Sequence, residues 1–186
     1  MRDLGYAKQW PERVQPGLLI LLGSSRGDGD TAVAVQALRR ELCRPSEVVD
    51  LSTLSLRPFD YSAPRQADDF DAVVERMLSS PAVLFATPVY WYAMSGLMKT
   101  LFDRFSDLLS DRDPARRGRG LAGRSAFYLA VGADARLPGG FETPFRRTAR
   151  YLGMVWGGGA YVCTAQPAAG AEQLRVLAKR IASPAA

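Results

Sequence analysis

The stretch "GLLILLGSSRGDGDTAVAVQAL", Gly17 to Leu38, changes its hydrophobic period part-way, and that change decides the fold class. Gly17 to Gly23 is an unbroken apolar run, the pattern of a strand buried on both faces. From Thr31 onward Val35, Leu38 and Leu42 recur at i, i+3 and i+7, with Gln36, Arg39, Arg40 and Glu41 on the other faces. That spacing predicts a helix of about three turns. A buried strand followed directly by an amphipathic helix is the first half of a βα unit.

The same alternation continues along the chain. "EVVDL" at 47–51 predicts a second strand, followed by an irregular connection over 52–64. Asp68, Asp69 and Asp71 load the first turn of a helix, the end where the helix dipole favours acids, and Phe70, Val73, Val74 and Met77 form its buried face. "AVLFATP" at 82–88 predicts the third strand, and 96–109 a helix with Leu97, Leu101, Phe105 and Leu108 inward. "SAFYLAVG" at 125–132 and "GGAYVC" at 158–163 predict the remaining strands. Helices are expected over 141–152, with Phe145, Ala149 and Leu152 in line, and over 172–181, with Leu174, Leu177 and Ile181. Alternating β and α units feed a parallel sheet through right-handed crossovers, so the expected fold is a three-layer α/β/α sandwich with five parallel strands. Ligands in such sheets sit at the carboxyl ends of the strands, which directs attention to 23–31, 52–64, 87–96 and 132–140.

The chain has 186 residues, within the size of one domain, with 47% hydrophobic and 23% charged residues. The expectation is a polar N-terminal extension over 1–16 and a single domain over 17–186. That composition is close to ordinary globular values and indicates neither disorder nor a membrane protein, and the longest apolar runs are far too short to span a bilayer. Met1 to Pro16 carries Arg2, Asp3, Lys8, Glu12 and Arg13 without an apolar stretch, so a secretory signal is not expected and the default address is cytoplasmic. There is no histidine, and the two cysteines, Cys43 and Cys163, have no metal-ligand spacing. Chemistry must come from carboxylates, thiols, hydroxyls or a borrowed cofactor. The net charge is +5. The basic run "DRDPARRGRG" at 111–120 reads as a solvated loop broken by Pro114, Gly118 and Gly120, and it lacks the interleaved aromatics of a nucleic-acid surface.

Two of the strand-end loops carry recognisable chemistry. "GSSRGDGDT", Gly23 to Thr31, combines glycines that let backbone approach closely with Ser24, Ser25, Thr31, the guanidinium of Arg26 and a helix N-terminus behind them, a set suited to a phosphate. It is not a Walker A motif, since no Lys precedes Thr31, nor GxGxxG. An ordinary βα turn with Asp30 or Thr31 as N-cap accounts for the same residues. "TPVYWYAMSG", Thr87 to Gly96, sets Tyr90, Trp91 and Tyr92 together before a helix that Ser95 can cap. Three successive aromatics cannot all enter one core, so some form an exposed wall, either for a planar ligand or for a dimer interface. Lys99, Asp103 and Arg104, four and five residues apart, read as a surface ion-pair set on a helix or a dimer contact.

The loop "GSSRGDGDT" resembles the GSxRxxGNT phosphate loop, and "PVYWYAMSGLMKTLFDR" resembles the PxYxxxxSxxLKxxxDR segment, of the NADPH-dependent FMN reductase family of flavodoxin-like flavoproteins. The second is the more specific, with Pro88, Tyr90, Ser95, Leu97, Lys99, Asp103 and Arg104 all in place. The resemblance implies strand order 2-1-3-4-5, with FMN at the switch between strands 1 and 3. It further implies that Ser24, Arg26, Asp30, Thr31 and the backbone of Ala32 hold the FMN phosphate. Pro88, Val89, Tyr90 and Trp91 would line the ring, and Gly132 with Ala133 would border it. Asp30 departs from the usual Asn. The cysteine cluster by which some relatives hold an iron-sulfur centre is not matched, since Cys43 stands alone. The implied activity is ping-pong transfer from NADPH or NADH through FMN to a small acceptor such as a quinone or free flavin. The implied assembly is a homodimer or homotetramer, with no metal and no catalytic side chain. Two other classes stay open: a flavodoxin-like electron carrier without its own reductase activity, although flavodoxins as a group are strongly acidic, and a protein that keeps the fold without the cofactor.

Overall fold

Odd and even residues of the first strand go to different layers. In the computed structural model, which describes residues 17–62, 68–109 and 117–183, β1 (Leu18–Leu22) is fully buried. Leu18, Ile20 and Leu22 pack beneath α1 (Asp30–Glu41) and α6 (Pro167–Ala182) through Val35, Leu38, Leu174, Leu177 and Ile181. Leu19 and Leu21 face the opposite layer, built from α2 (Phe70–Ser79), α3 (Gly96–Arg104) and α5 (Thr143–Tyr151). An unbroken apolar strand therefore supplies both cores at once, as a central parallel strand must.

The parallel sheet runs β2 (Ser46–Asp50), β1, β3 (Ala82–Tyr90), β5 (Ser125–Gly132), β6 (Val155–Cys163). Counted without the small strand β4 (Ala93–Met94), this is the order 2-1-3-4-5. β4 is the addition: it pairs antiparallel with β3, Val89 opposite Met94 and Tyr90 opposite Ala93. The expected five parallel strands are present, and β4 adds a sixth, antiparallel one where β3 runs past its buried part and folds back on itself.

Other boundaries move for local reasons. α3 stops at Arg104 and continues as a 3₁₀ turn over Phe105–Leu108. Within it Met98, rather than the half-buried Leu97, fills the core beside Leu101. β6 starts at Val155 and α6 at Pro167, both earlier than the apolar periodicity marks, since proline suits a first helical turn. Residues 110–116 lie outside the described segments, as does the extension 1–16. Arg117–Gly120 forms a single helical turn, α4, where glycines predicted a loop. Arg117 there pairs with Asp71 at 3.0 Å and Glu75 at 3.7 Å, so it is tied to α2.

Candidate functional site

The carboxyl ends of β1, β3 and β5 lie side by side, and a buried serine joins the first two. Gly23, just past β1, donates its amide to the Ala86 carbonyl at 2.8 Å. Its own carbonyl accepts from Ser95 Oγ at 2.5 Å. The same Ser95 oxygen caps α3 by accepting from the Met98 amide at 3.1 Å, and the Ser95 amide donates to Thr87 Oγ1 at 3.0 Å. Ser95 is the helix cap that its position suggested, but its bond to Gly23 was not readable from spacing. Gly23 leaves room for Met98: a Cβ there would lie 2.9 Å from Met98 Cε and 3.0 Å from Met98 Cβ, so the methionine would have to shift.

Beyond Gly23 the chain forms a cradle with open donors. Ser24 is buried, and its Oγ accepts from the Arg26 amide at 3.4 Å. The N-cap of α1 is Gly29, not Asp30 or Thr31 as expected. Gly29 has extended backbone (φ −78°, ψ 179°), its carbonyl takes the first helical bond from Val33 at 3.0 Å, and no side chain caps the helix. The amides of Asp30, Thr31 and Ala32 consequently have no acceptor among the described residues. Thr31 is buried and the Asp30 side chain is exposed at the helix's first position.

The aromatic segment is a hairpin tip rather than a loose loop. Trp91 and Tyr92 are its two turn residues, both with positive φ (+48° and +66°), the signature of a type I′ turn. For residues other than glycine that conformation costs about 1–2 kcal/mol each. Both rings are nevertheless exposed, Trp91 by 93% and Tyr92 by 72%, and Tyr90 by 49%. Pro88 is buried and Val89 half-buried beneath them. Strain and exposure coincide at this tip.

Gly132 and Ala133 close the third side. Val131 pairs with Pro88, which sets the β5 end next to the hairpin base. A Cβ at Gly132 would lie 2.9 Å from Tyr161 Oη and 3.2 Å from Val89 Cβ, so a side chain here would displace its neighbours. Gly132, Ala133 and Asp134 all turn their carbonyls to β6 and the residue after it: Thr164 N donates to Gly132 at 2.9 Å, Cys163 Sγ to Ala133 at 3.6 Å, and Tyr161 Oη to Asp134 at 2.7 Å. Burial, then the neighbouring Cys163 and Asp134, push the Tyr161 hydroxyl upward, so it remains a donor.

Lys99, Asp103 and Arg104 do not form one surface set. Lys99 and Asp103 make the expected exposed pair at 2.5 Å. Arg104 is 4% exposed. Its guanidinium bonds both carboxylate oxygens of Asp68, the Asp107 carboxylate at 2.6 Å and the Arg57 carbonyl at 3.0 Å, with its Cζ 4.6 Å from the centre of the Phe70 ring. Burial alone would raise the Asp68 carboxyl, but the Arg104 bond, the amides of Arg57 and Phe70 and the Arg104 charge outweigh it and hold it below its ordinary value. The connection after β2 is anchored to α3 in this way. No trio of His, Cys, Asp or Glu among the described residues could hold a metal.

The sequence profile of the NADPH-dependent FMN reductase family matches residues 16–168. The chain belongs to that family. It is therefore an oxidoreductase that works with FMN and an NAD(P)H co-substrate. It is similar to a Bacillus subtilis (strain 168) protein provisionally named NAD(P)H-dependent FMN-containing oxidoreductase YwqN, with 28% identity over 123 residues, 63% of this chain and 67% of the relative. Two solved structures share the fold. The Trp repressor binding protein from Bacillus subtilis superposes with a TM-score of 0.68 at 23% identity, covering 91% of this chain and 99% of the other. General stress protein 14 from Treponema denticola, solved in complex with FMN, has a TM-score of 0.60 at 18% identity, covering 90% of this chain and 97% of the other. For this FMN reductase family member, the first-turn amides open to an outside acceptor and the aromatic wall beside them are the features that fit a phosphorylated planar group.

Proposed function

We propose that the protein carries reducing equivalents from NADPH or NADH through FMN to a small-molecule acceptor, such as a quinone or free flavin, in a ping-pong cycle. One observation carries the assignment of the site. The open amides of Asp30, Thr31 and Ala32 stand one strand away from an exposed aromatic hairpin, and Ser95 fixes the spacing between the two.

In this reading Ser24, Arg26, Thr31 and the amides of Asp30 and Ala32 hold the phosphate at the positive end of α1. Asp30 directs its carboxylate to solvent. Pro88, Val89, Tyr90 and Trp91 line one side of the isoalloxazine ring, and Gly132 with Ala133 border its edge. FMN supplies the hydride and electron chemistry when bound, while the protein supplies binding, orientation and electrostatics. No side chain here needs to act as an acid or base, which suits a chain without histidine. Residues 17–186 make up the FMN-binding domain. The exposed aromatics favour pairing of copies into a homodimer or homotetramer. The protein acts in the cytoplasm without nucleic-acid partners; no helix among its described residues is long and apolar enough to cross a membrane.

Anaerobic mixing of the FMN-loaded protein with NADPH and with NADH, followed by a quinone, tests the cycle. The expected result is loss of the flavin's visible absorbance with one nicotinamide and its return on adding the quinone. A flavin-loaded protein inert to both nicotinamides would establish the electron-carrier alternative instead.

A further inference from the structure

The three consecutive carbonyls of Gly132, Ala133 and Asp134 all accept hydrogen bonds from the end of β6 and the residue after it. Each is held there by a different donor from the end of β6: the Thr164 amide, the Cys163 thiol and the Tyr161 hydroxyl. No peptide bond is cis. In a trans planar peptide the N–H opposes the C=O, so the amides of Ala133, Asp134 and Ala135 point away from these three donors. None of these amides has a partner among the described residues. The Tyr161 ring is packed against the core beneath the α5 layer, and its hydroxyl also abuts Gly132, which fixes the donor's position.

We infer that Tyr161 is a positioning residue for flavin binding: its bond to the Asp134 carbonyl, assisted by Cys163 on Ala133, sets the loop's free amides toward the edge of the ring. The inference rests on the reading that Gly132 and Ala133 border FMN. Amides fixed in this orientation stabilise negative charge gathered on the ring's carbonyl edge on reduction, and water cannot do so without reorganising. Tyr161 thereby acts on affinity and on reduction potential through the loop that it holds. Its hydroxyl, pushed upward by burial and by its neighbours, stays protonated across the working pH range.

The test compares wild type with Tyr161→Phe and Cys163→Ala, measuring FMN dissociation by fluorescence quenching, midpoint potential, and amide exchange of 133–135 in the FMN-free proteins. Tyr161→Phe is expected to weaken FMN about tenfold, or 1.4 kcal/mol, to lower the midpoint potential and to change the exchange of these three amides. The melting temperature should stay close to wild type. Cys163→Ala should shift each quantity the same way by less. Wild-type affinity and potential in both variants would overturn the assignment. If wild type itself took up no FMN, the cofactor reading would fall. The exchange data would still decide the latch on its own: unchanged amides in Tyr161→Phe would overturn it.

Discussion

Asp30 stands at the first position of α1, where one carboxylate has two opposite effects. A negative charge there stabilises the helix through its dipole, by about 0.3–1 kcal/mol. The same charge lies beside the cradle assigned to a phosphate dianion, so it repels the ligand. Asp30→Asn is therefore expected to tighten FMN by about fivefold, close to 1 kcal/mol, while lowering the melting temperature slightly; calorimetric titration and thermal melts measure the two. Arg104 shows what spacing hides. Its place one residue after Asp103 and five after Lys99 reads as part of a surface set, yet Asp68 lies 36 residues upstream and only the fold brings them together. Arg104→Ala would strand a buried carboxylate and should destabilise the protein by about 3–5 kcal/mol in urea unfolding. Arg104→Lys should recover part of that loss, since it restores charge without the two-pronged contact.

At the scale of elements, the hairpin of β3 and β4 is the part least readable in advance. "PVYWYAMSG" was located by its chemistry and by resemblance, but its form was not, because type I′ turns normally announce themselves with Asn-Gly. Trp91 and Tyr92 occupy those positions against their own backbone preference, which suggests that their rings are kept for contact. Trp91→Asn combined with Tyr92→Gly should raise stability by about 1–2 kcal/mol, from relief of the left-handed conformations. The same change should weaken FMN binding or assembly, read by fluorescence titration and sedimentation. Unchanged affinity and unchanged mass would remove the hairpin from both roles. The helices, by contrast, were legible wherever an apolar stripe faced the sheet, as in Phe70, Val73, Val74 and Met77. Their ends moved where glycine, proline or a 3₁₀ turn decided the cap.

For the whole molecule, the layered sandwich followed from alternating periods, and the sheet order from the family's pattern. The loops' convergence needed coordinates, because Ser95 to Gly23 and Tyr161 to Asp134 are contacts between distant segments. Acid stability is also a property of the whole fold, since Asp68 and Arg104 tie the connection after β2 to α3. Asp68 has a lowered value in the folded state, so its contribution is complete above the unfolded carboxylate value of about 3.9 and is lost as pH falls below that through the folded value. Urea midpoints should therefore drop more steeply between neutral pH and about pH 3 in wild type than in Asp68→Asn; parallel curves would remove Asp68 as a source of the acid sensitivity. The central claim is that the cradle from Ser24 to Ala32 holds a phosphate while the neighbouring strand ends hold the ring. Paired fluorescence titrations of the flavin-free protein with FMN and with riboflavin test it most directly. FMN is expected to bind one per chain at least about 100-fold more tightly than riboflavin, a gap of about 2.7 kcal/mol, and Arg26→Ala to narrow that gap; equal affinity for the two flavins would contradict the account.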